Sequence, residues 1–192
     1  MTHRAVATRV QSAMGESQLE MARSDLEGIP DVVLRAGCTI RAYRSGDEWA
    51  WCRLVNEGIG GGYTPEKLHA EMGEAADFDP LDLLFVVKSE VVVGTAWALR
   101  QAGSPIGQGI VHMVAVAPEQ RGGGLGRALV VAVLHRLREV GARSAGLKTD
   151  DFRRAALRIY LGVGFRPVLS HESHPGRWRA VYQELGIEEE IE

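Results

Sequence analysis

The stretch Val111–Leu129, VHMVAVAPEQRGGGLGRAL, sets the architecture of this 192-residue chain. Its first residues, as far as Val116, are rich in β-branched side chains and predict a strand. Pro118 ends the strand because proline has no N–H group to donate to a neighbouring strand. Four glycines follow, and from Arg127 onward apolar residues recur at helical spacing. The stretch therefore predicts a strand, a glycine-rich loop and the beginning of a helix.

The glycine-rich loop is expected to bind phosphate. Glycine lets the backbone approach a ligand closely, and the free N–H groups at the start of the helix lie at the positive end of its dipole. The nucleoside triphosphate loop GxxxxGK(S/T) is not matched, because no lysine followed by serine or threonine comes after these glycines. The dinucleotide motif GxGxxG also fails, because Arg127 occupies its third glycine position. Residues 121–126, RGGGLG, instead fit the pattern Arg/Gln-x-x-Gly-x-Gly/Ala.

This pattern resembles the acetyl-coenzyme A loop of the GNAT family of N-acetyltransferases. The preceding residues 114–119, VAVAPE, are also similar to that family, and residues 156–165, ALRIYLGVGF, are similar to its last helix, AxxLYxxxGF. The resemblance covers roughly Thr39–Leu185. It implies an α+β fold, an α/β/α sandwich. Its mixed, mostly antiparallel sheet has six to seven strands, is flanked by helices and splays after the fourth strand.

The composition is typical of a globular protein. Hydrophobic residues make up 45% and charged residues 24% of the chain. No apolar run approaches the roughly 18 residues of a membrane span, and the N-terminal MTHRAVATRVQSAMGESQ lacks a signal-peptide core. The formal net charge of -3 argues against nucleic acid as the main partner. With only Cys38 and Cys52 and no CxxC motif, we expect a reducing, cytoplasmic location, no disulfide framework and no metal.

The length suits one domain with a full core. We predict an N-terminal extension at residues 1–36, an acetyltransferase domain at 37–186 and an acidic tail at 187–192. Within the extension, Val6–Met14 and Gln18–Leu26 are candidate short helices.

The remaining patterns give the order of elements in the domain. A helix is expected before a loop with three consecutive glycines, and a second helix capped by Thr64 follows that loop. Gly94 is expected to mark a bulge or a close approach within its strand. The predicted strands are Thr39–Arg44, Leu83–Lys88, Val91–Leu99, Ile110–Val116, Ser144–Thr149 and a closing hairpin of Val168–Ser170 with Arg177–Leu185.

Coenzyme binding is assigned by the resemblance to the central strand and its loop. The pantetheine arm would pair with the splayed edge of the strand, and the pyrophosphate would take the N–H groups of the loop. For Arg127 the alternative is a surface arginine on the first helical turn. The candidate coenzyme contacts are Val114, Ala115, Val116, Arg121, Gly122, Gly123, Gly124, Leu125, Gly126 and Arg127.

One position departs from the family. Seven residues before the tyrosine of the last helix the family often has an asparagine that contacts the coenzyme, and this chain has Arg153. Either Asp150 or Asp151 substitutes for it, or Arg153 reaches a coenzyme phosphate.

Tyr160 is the candidate general acid. In the family a tyrosine at this helix position protonates the departing thiolate, and a phenol with a pKa of about 10 can do so for a thiol of about 8.5 if it is held close. The alternative is a partly buried tyrosine that packs on the sheet. A backbone N–H near Val114 would polarise the thioester carbonyl.

His112 is the best candidate for the general base. It precedes Val114 by two residues, so strand alternation places both side chains on one face. Some family members, such as the arylalkylamine N-acetyltransferases, are similar in carrying a histidine here that relays the proton through water. The alternative is a histidine hydrogen-bonded inside the sheet. Weaker candidates for the base are Glu90, His171 and Glu172.

The resemblance implies transfer from acetyl-coenzyme A to a primary amine, on a small molecule or at a protein N-terminus or lysine, by a monomer or homodimer. Residues Ile59–Tyr63 and 171–176 are expected to contact the acceptor. Arg177 and Arg179 suggest an acceptor with a carboxylate. The rival functions are a non-catalytic acyl-coenzyme A binding or sensing module and a nucleotide-binding domain. An acidic cluster suggests either a site for a cationic amine or merely a solvated face; its members are Glu71, Glu74, Asp77 and Asp79.

Overall fold

The computed structural model describes residues 17–75, 78–100, 105 and 107–188. Within these ranges the chain forms seven strands: β1 Leu19–Arg23, β2 Cys38–Ala42, β3 Leu83–Lys88, β4 Val91–Leu99, β5 Gln108–Val116, β6 Ser144–Thr149 and β7 Arg166–Val168. The helices are α1 Glu48–Gly58, α2 Pro65–Glu74, α3 Leu125–Glu139, α4 Arg154–Gly162 and α5 His174–Leu185. In this part of the chain no helix is both long and apolar enough to cross a membrane.

The strands form one mixed sheet in the order β2-β3-β4-β5-β6-β1-β7. Every neighbouring pair is antiparallel except β5 with β6, which confirms the predicted mixed and mostly antiparallel sheet. The parallel pairing covers only Gln108–Ile110 against Ser144–Gly146. Beyond Ile110 the two strands separate, and the sheet opens into a wedge. The fourth of the predicted strands corresponds to β5, because β1 is not among the predicted strands. The predicted splay after the fourth strand is therefore confirmed.

Helices cover both faces of the sheet beside the wedge. A Cβ atom at Gly94 of β4 would lie 3.1 Å from Leu129 of α3, so glycine permits the close approach of this helix. Ala115 of β5 approaches Gly58 of α1 instead. Gly94 pairs with Val116, the neighbour of Ala115, so the two contacts lie on opposite faces. The predicted bulge at Gly94 is confirmed by a register shift against β3.

The prediction of a short helix at Gln18–Leu26 is wrong. Residues Leu19–Arg23 form β1, which pairs with β6 on one side and β7 on the other. The alternation of Leu19 and Met21, 0% and 1% exposed, explains the strand, because a period of two places both side chains in the core. The candidate helix Val6–Met14 and the last four residues of the acidic tail lie outside the described residues.

The predicted closing hairpin is also wrong. Its first half is represented by the short strand β7, but its second half lies in α5. Pro175 in the first turn favours a helix start, because the missing N–H group has no partner there in any case. The buried residues of α5 then recur every three or four positions and cover one helical face: Trp178, Val181, Tyr182 and Leu185.

Candidate active site

A cavity of about 830 Å³ lies where β5 and β6 separate. Its wall takes Ile110–Val116 from β5, and further residues from β6, the end of α1, α2 and α4. Both predicted catalytic residues, His112 and Tyr160, line this one cavity. Of the predicted coenzyme contacts, Val114, Ala115, Val116, Arg121 and Arg153 line it as well.

Strand β5 is irregular in the middle of the cavity wall. Met113 has a φ of 47°, and the register against β4 shifts between Thr95 and Trp97. The backbone there carries a bulge, and a non-glycine residue in this region costs about 1–3 kcal/mol, a strain that clusters at functional sites. The bulge interrupts the strict alternation expected between His112 and Val114, yet both side chains reach the cavity.

His112 is held between a carboxylate and an aromatic ring. Its Nε2 atom lies 3.8 Å from Oε2 of Glu71 on α2, and its ring packs edge-on against Trp97, with centroids 6.0 Å apart. The side chain is 30% exposed. Within the described ranges its imidazole makes no hydrogen bond to the sheet, so the alternative of a histidine bonded inside the sheet does not describe this residue.

Tyr160 is a buried residue of α4, only 7% exposed. Burial raises the pKa of its phenol to about 12, although the positive charge of Arg153 acts in the opposite direction. The phenol therefore holds its proton throughout the neutral range. Its ring also packs edge-on against Phe165, with centroids 6.0 Å apart. Tyr160 thus packs against the core and also lines the cavity.

The glycine-rich loop connects β5 to α3 as predicted. Gly122 and Gly124 have φ values of 76° and 80°, a left-handed conformation that favours glycine. At Gly123 a Cβ atom would lie 2.1 Å from Nη1 of Arg35, so a larger residue there would have to displace that side chain. Helix α3 begins at Leu125, and its first N–H groups therefore follow directly on the loop. Gly122–Gly126 and Arg127 lie outside the cavity, next to Arg121 at its edge.

Three arginines surround this loop. Arg121 donates from Nε to the Val116 carbonyl over 3.0 Å, Arg127 lies in the first turn of α3, and Arg35 covers Gly123. None of the three guanidinium groups has a carboxylate within ion-pair distance among the described residues. Positive charge and the helix N-terminus together form a site suited to an anion such as a pyrophosphate. Sequence reasoning missed Arg35, since it precedes β2 and belongs to no motif.

Arg153 lines the cavity, but its guanidinium is engaged by protein groups. It donates to Oδ2 of Asp150 over 2.8 Å and to the carbonyls of Gly58 and Ile59 over 2.7 and 3.3 Å. These carbonyls are at the end of α1, so the arginine fixes that end against the segment before α4. A coenzyme contact by Arg153 stays a prediction.

The acidic cluster divides into separate groups. Glu71 and Glu74 line the cavity. Asp79 instead pairs with Arg136 over 2.8 Å, and Asp77 lies outside the described residues.

Of the predicted acceptor segment Ile59–Tyr63, Ile59 lines the cavity, whereas the other predicted acceptor contacts lie away from it. Of the described residues 171–176, none lines it, and His174 is fully buried with Nδ1 against the Val168 carbonyl at 3.1 Å. Arg177 pairs with Asp151 over 3.0 Å, and Arg179 is exposed on α5. The arginines that suggested an acceptor carboxylate therefore do not face the cavity.

Comparison with known proteins agrees with this geometry. Residues 48–165 match the model of the acetyltransferase (GNAT) family. A mycothiol acetyltransferase of Thermomonospora curvata is 36% identical over 71% of this chain and 47% of its own length. One of Acidothermus cellulolyticus is 32% identical over 84% and 55%. The chain thus spans about half the length of the curated relatives it matches.

The fold comparison gives the same result. A crystal structure of a GCN5-related N-acetyltransferase from Sphaerobacter thermophilus matches with a TM-score of 0.63 and 26% identity. The match covers 84% of this chain and 53% of that one. The family match, the opened sheet and the glycine-rich loop at the start of α3 lead to one conclusion: the chain belongs to the acetyltransferase (GNAT) family.

Proposed function

We propose that this protein is an N-acetyltransferase that moves the acetyl group of acetyl-coenzyme A to a primary amine of a small molecule. The amine attacks the thioester directly while both substrates are bound. The observation that carries the proposal is one cavity in an opened sheet whose wall holds Arg121 beside the glycine-rich loop, His112 on β5 and Tyr160 on α4.

The opened sheet and the loop fit the two parts of the coenzyme. Beyond Ile110, β5 is not paired with β6, and the amides of a pantetheine arm can use that edge as an added strand would. The pyrophosphate fits the start of α3, where arginines without carboxylate partners in the described structure surround the loop. The thioester then lies near the bulge at Met113 and brings the acetyl group to the catalytic side chains.

Attack requires a neutral amine. Amines with a pKa near 10 are mostly protonated at pH 7, so His112 accepts a proton from the ammonium before the neutral nitrogen attacks the carbonyl carbon. A backbone N–H near Val114 stabilises the negative oxygen of the tetrahedral intermediate, a contribution of about 3 kcal/mol in other enzymes.

Collapse of the intermediate breaks the C–S bond and releases the thiolate of coenzyme A. Tyr160 donates its phenolic proton to that sulfur. Burial raises the pKa of the phenol to about 12, so Tyr160 keeps its proton until the thiolate forms, and a thiolate in the same buried surroundings is a stronger base than in water.

The names of the relatives make a mycothiol-related amine the first acceptor to test. Thermal unfolding should be measured with acetyl-coenzyme A, ATP and NAD, and free thiol release with an amine panel. A ligand at about 100 times its Kd stabilises by roughly 2.7 kcal/mol, and we expect this only with acetyl-coenzyme A. If acetyl-coenzyme A stabilises the protein but no amine releases thiol, the protein is a binding module instead. If it does not stabilise, the loop assignment is wrong.

A further inference from the structure

Glu71 of α2 turns a buried carboxylate oxygen toward the proposed base. Its Oε2 atom lies 3.8 Å from Nε2 of His112, an ion-pair separation slightly longer than a hydrogen bond. The side chain as a whole is 31% exposed. Oε2 itself is buried and, within the described part of the chain, has no hydrogen-bond partner. A buried carboxylate oxygen without a donor is costly, and a cationic partner relieves that cost.

The phenol of Tyr63 is an electrostatic neighbour of Glu71. Burial raises the pKa of the Tyr63 phenol to about 12, and the negative charge of Glu71 contributes to the rise. Tyr63 is fixed in turn, since Asn56 bonds its backbone N–H over 2.7 Å and its carbonyl over 2.9 Å. Its ring packs edge-on against Trp51, with centroids 5.1 Å apart. Glu71 therefore lies between a fixed, buried phenol whose pKa it raises and the imidazole of His112.

Among the described residues, His112 is the side chain within ion-pair distance of Glu71 that becomes positive when it accepts a proton. No lysine or arginine in the described ranges lies within ion-pair distance of Glu71, and Arg121 belongs to the glycine-rich loop. The other cationic side chains of the cavity wall are paired with carboxylates: Lys148 with Glu20, Arg153 with Asp150 and Arg154 with Glu184.

We propose that Glu71 is a positioning residue that orients His112 and stabilises the imidazolium formed when His112 accepts the proton of the amine. The inference rests on the proposed function, in which His112 is the base. With Nε2 turned toward Glu71, Nδ1 is the nitrogen that takes the proton. The proton passes from the amine to His112 only, and His112 releases it to solvent when the site returns to its starting state.

A double-mutant cycle tests this role. It compares His112→Gln, Glu71→Gln and the double variant, with the most active amine of the panel as acceptor. Loss of a general base predicts a kcat about 10²- to 10⁴-fold lower in His112→Gln. We expect Glu71→Gln to lose at least 10-fold, with an unchanged KM for acetyl-coenzyme A. The double variant should lose no more than His112→Gln, because Glu71 acts through that side chain.

The matched control is Glu66→Gln, which removes the same charge from an exposed position of α2 outside the cavity. Stabilisation by acetyl-coenzyme A shows that each variant is folded, and Glu71→Asp should recover part of the lost kcat. Equal kcat in Glu71→Gln and Glu66→Gln, or losses that multiply in the double variant, would overturn the role of Glu71 alone. Full activity of His112→Gln would overturn both the base and its partner.

Discussion

Arg35 lies against Gly123, with its guanidinium where the Cβ atom of any other residue would have to be. The two neighbouring glycines, Gly122 and Gly124, have open space at that position but positive φ values. A substitution thus has to displace the Arg35 side chain at one position and strains the backbone at the two that flank it.

This difference predicts unequal losses of stability for two alanine substitutions. Gly124→Ala should lower the free energy of unfolding by about 1–2 kcal/mol, because an L-residue is strained in the left-handed region. Gly123→Ala should change it by less than about 0.5 kcal/mol, because the long side chain of Arg35 can move aside. Urea denaturation of both variants measures the difference. Equal losses would contradict it.

Tyr160→Phe is expected to remove catalysis and preserve binding. Loss of the phenolic proton should lower kcat by about 10²- to 10⁴-fold, while the ring that packs against Phe165 remains. Thiol release measures kcat, and thermal unfolding with acetyl-coenzyme A measures binding. A variant with normal kcat would return Tyr160 to a packing role, whereas a variant that fails to bind would point to a coenzyme contact.

Alkaline pH should weaken the folded state through Tyr43, Tyr63 and Tyr160. Burial raises the pKa of each phenol to about 12. A raised pKa in the folded state stabilises the protein below the unfolded value of about 10, and this stability is lost as pH rises from about 10 to 12. Urea unfolding between pH 8 and 11.5 should show the decline, with a shallower slope in Tyr160→Phe. A free energy of unfolding that does not change over this pH range would contradict the raised pKa values of the three phenols.

Arg153→Ala should loosen the end of α1. The substitution removes hydrogen bonds to the carbonyls of Gly58 and Ile59 and the ion pair with Asp150. Hydrogen bonds of charged groups are worth about 1.5–3 kcal/mol each, so we expect a loss of stability of about that size. Arg179→Ala, exposed on α5 and outside the cavity, is the control. If affinity for acetyl-coenzyme A falls instead while stability holds, Arg153 is a coenzyme ligand.

The central strand, the glycine-rich loop and the start of α3 could be predicted because their determinants are neighbours in the chain. The same holds for Thr64, whose hydroxyl accepts from the N–H of Lys67 at the start of α2. The roles of Arg35 and Glu71 could not be predicted in this way. Each depends on a contact between segments that are distant in sequence, and one arginine or glutamate carries no local signal of such a contact.

The errors lie in short segments where local pattern and tertiary pairing compete. Leu19–Arg23 has only five residues, too few for periodicity to separate a strand from a helix, and pairing on both sides decides for the strand. In α5 the β-favouring Trp178, Val181 and Tyr182 suggested a strand, but their spacing matches one helical face. Burial against the core outweighs intrinsic preference in both segments.

The position of β1 has a consequence for how the protein folds. Leu19 pairs with Thr149, so one flank of β6, a wall of the cavity, is closed by a segment from the opposite end of the chain. Pairings between such remote segments form slowly, because closing a long loop costs conformational entropy before the pairing is gained. During synthesis on the ribosome the cavity therefore closes only after β6 and α4 have emerged, although β1 emerges long before them.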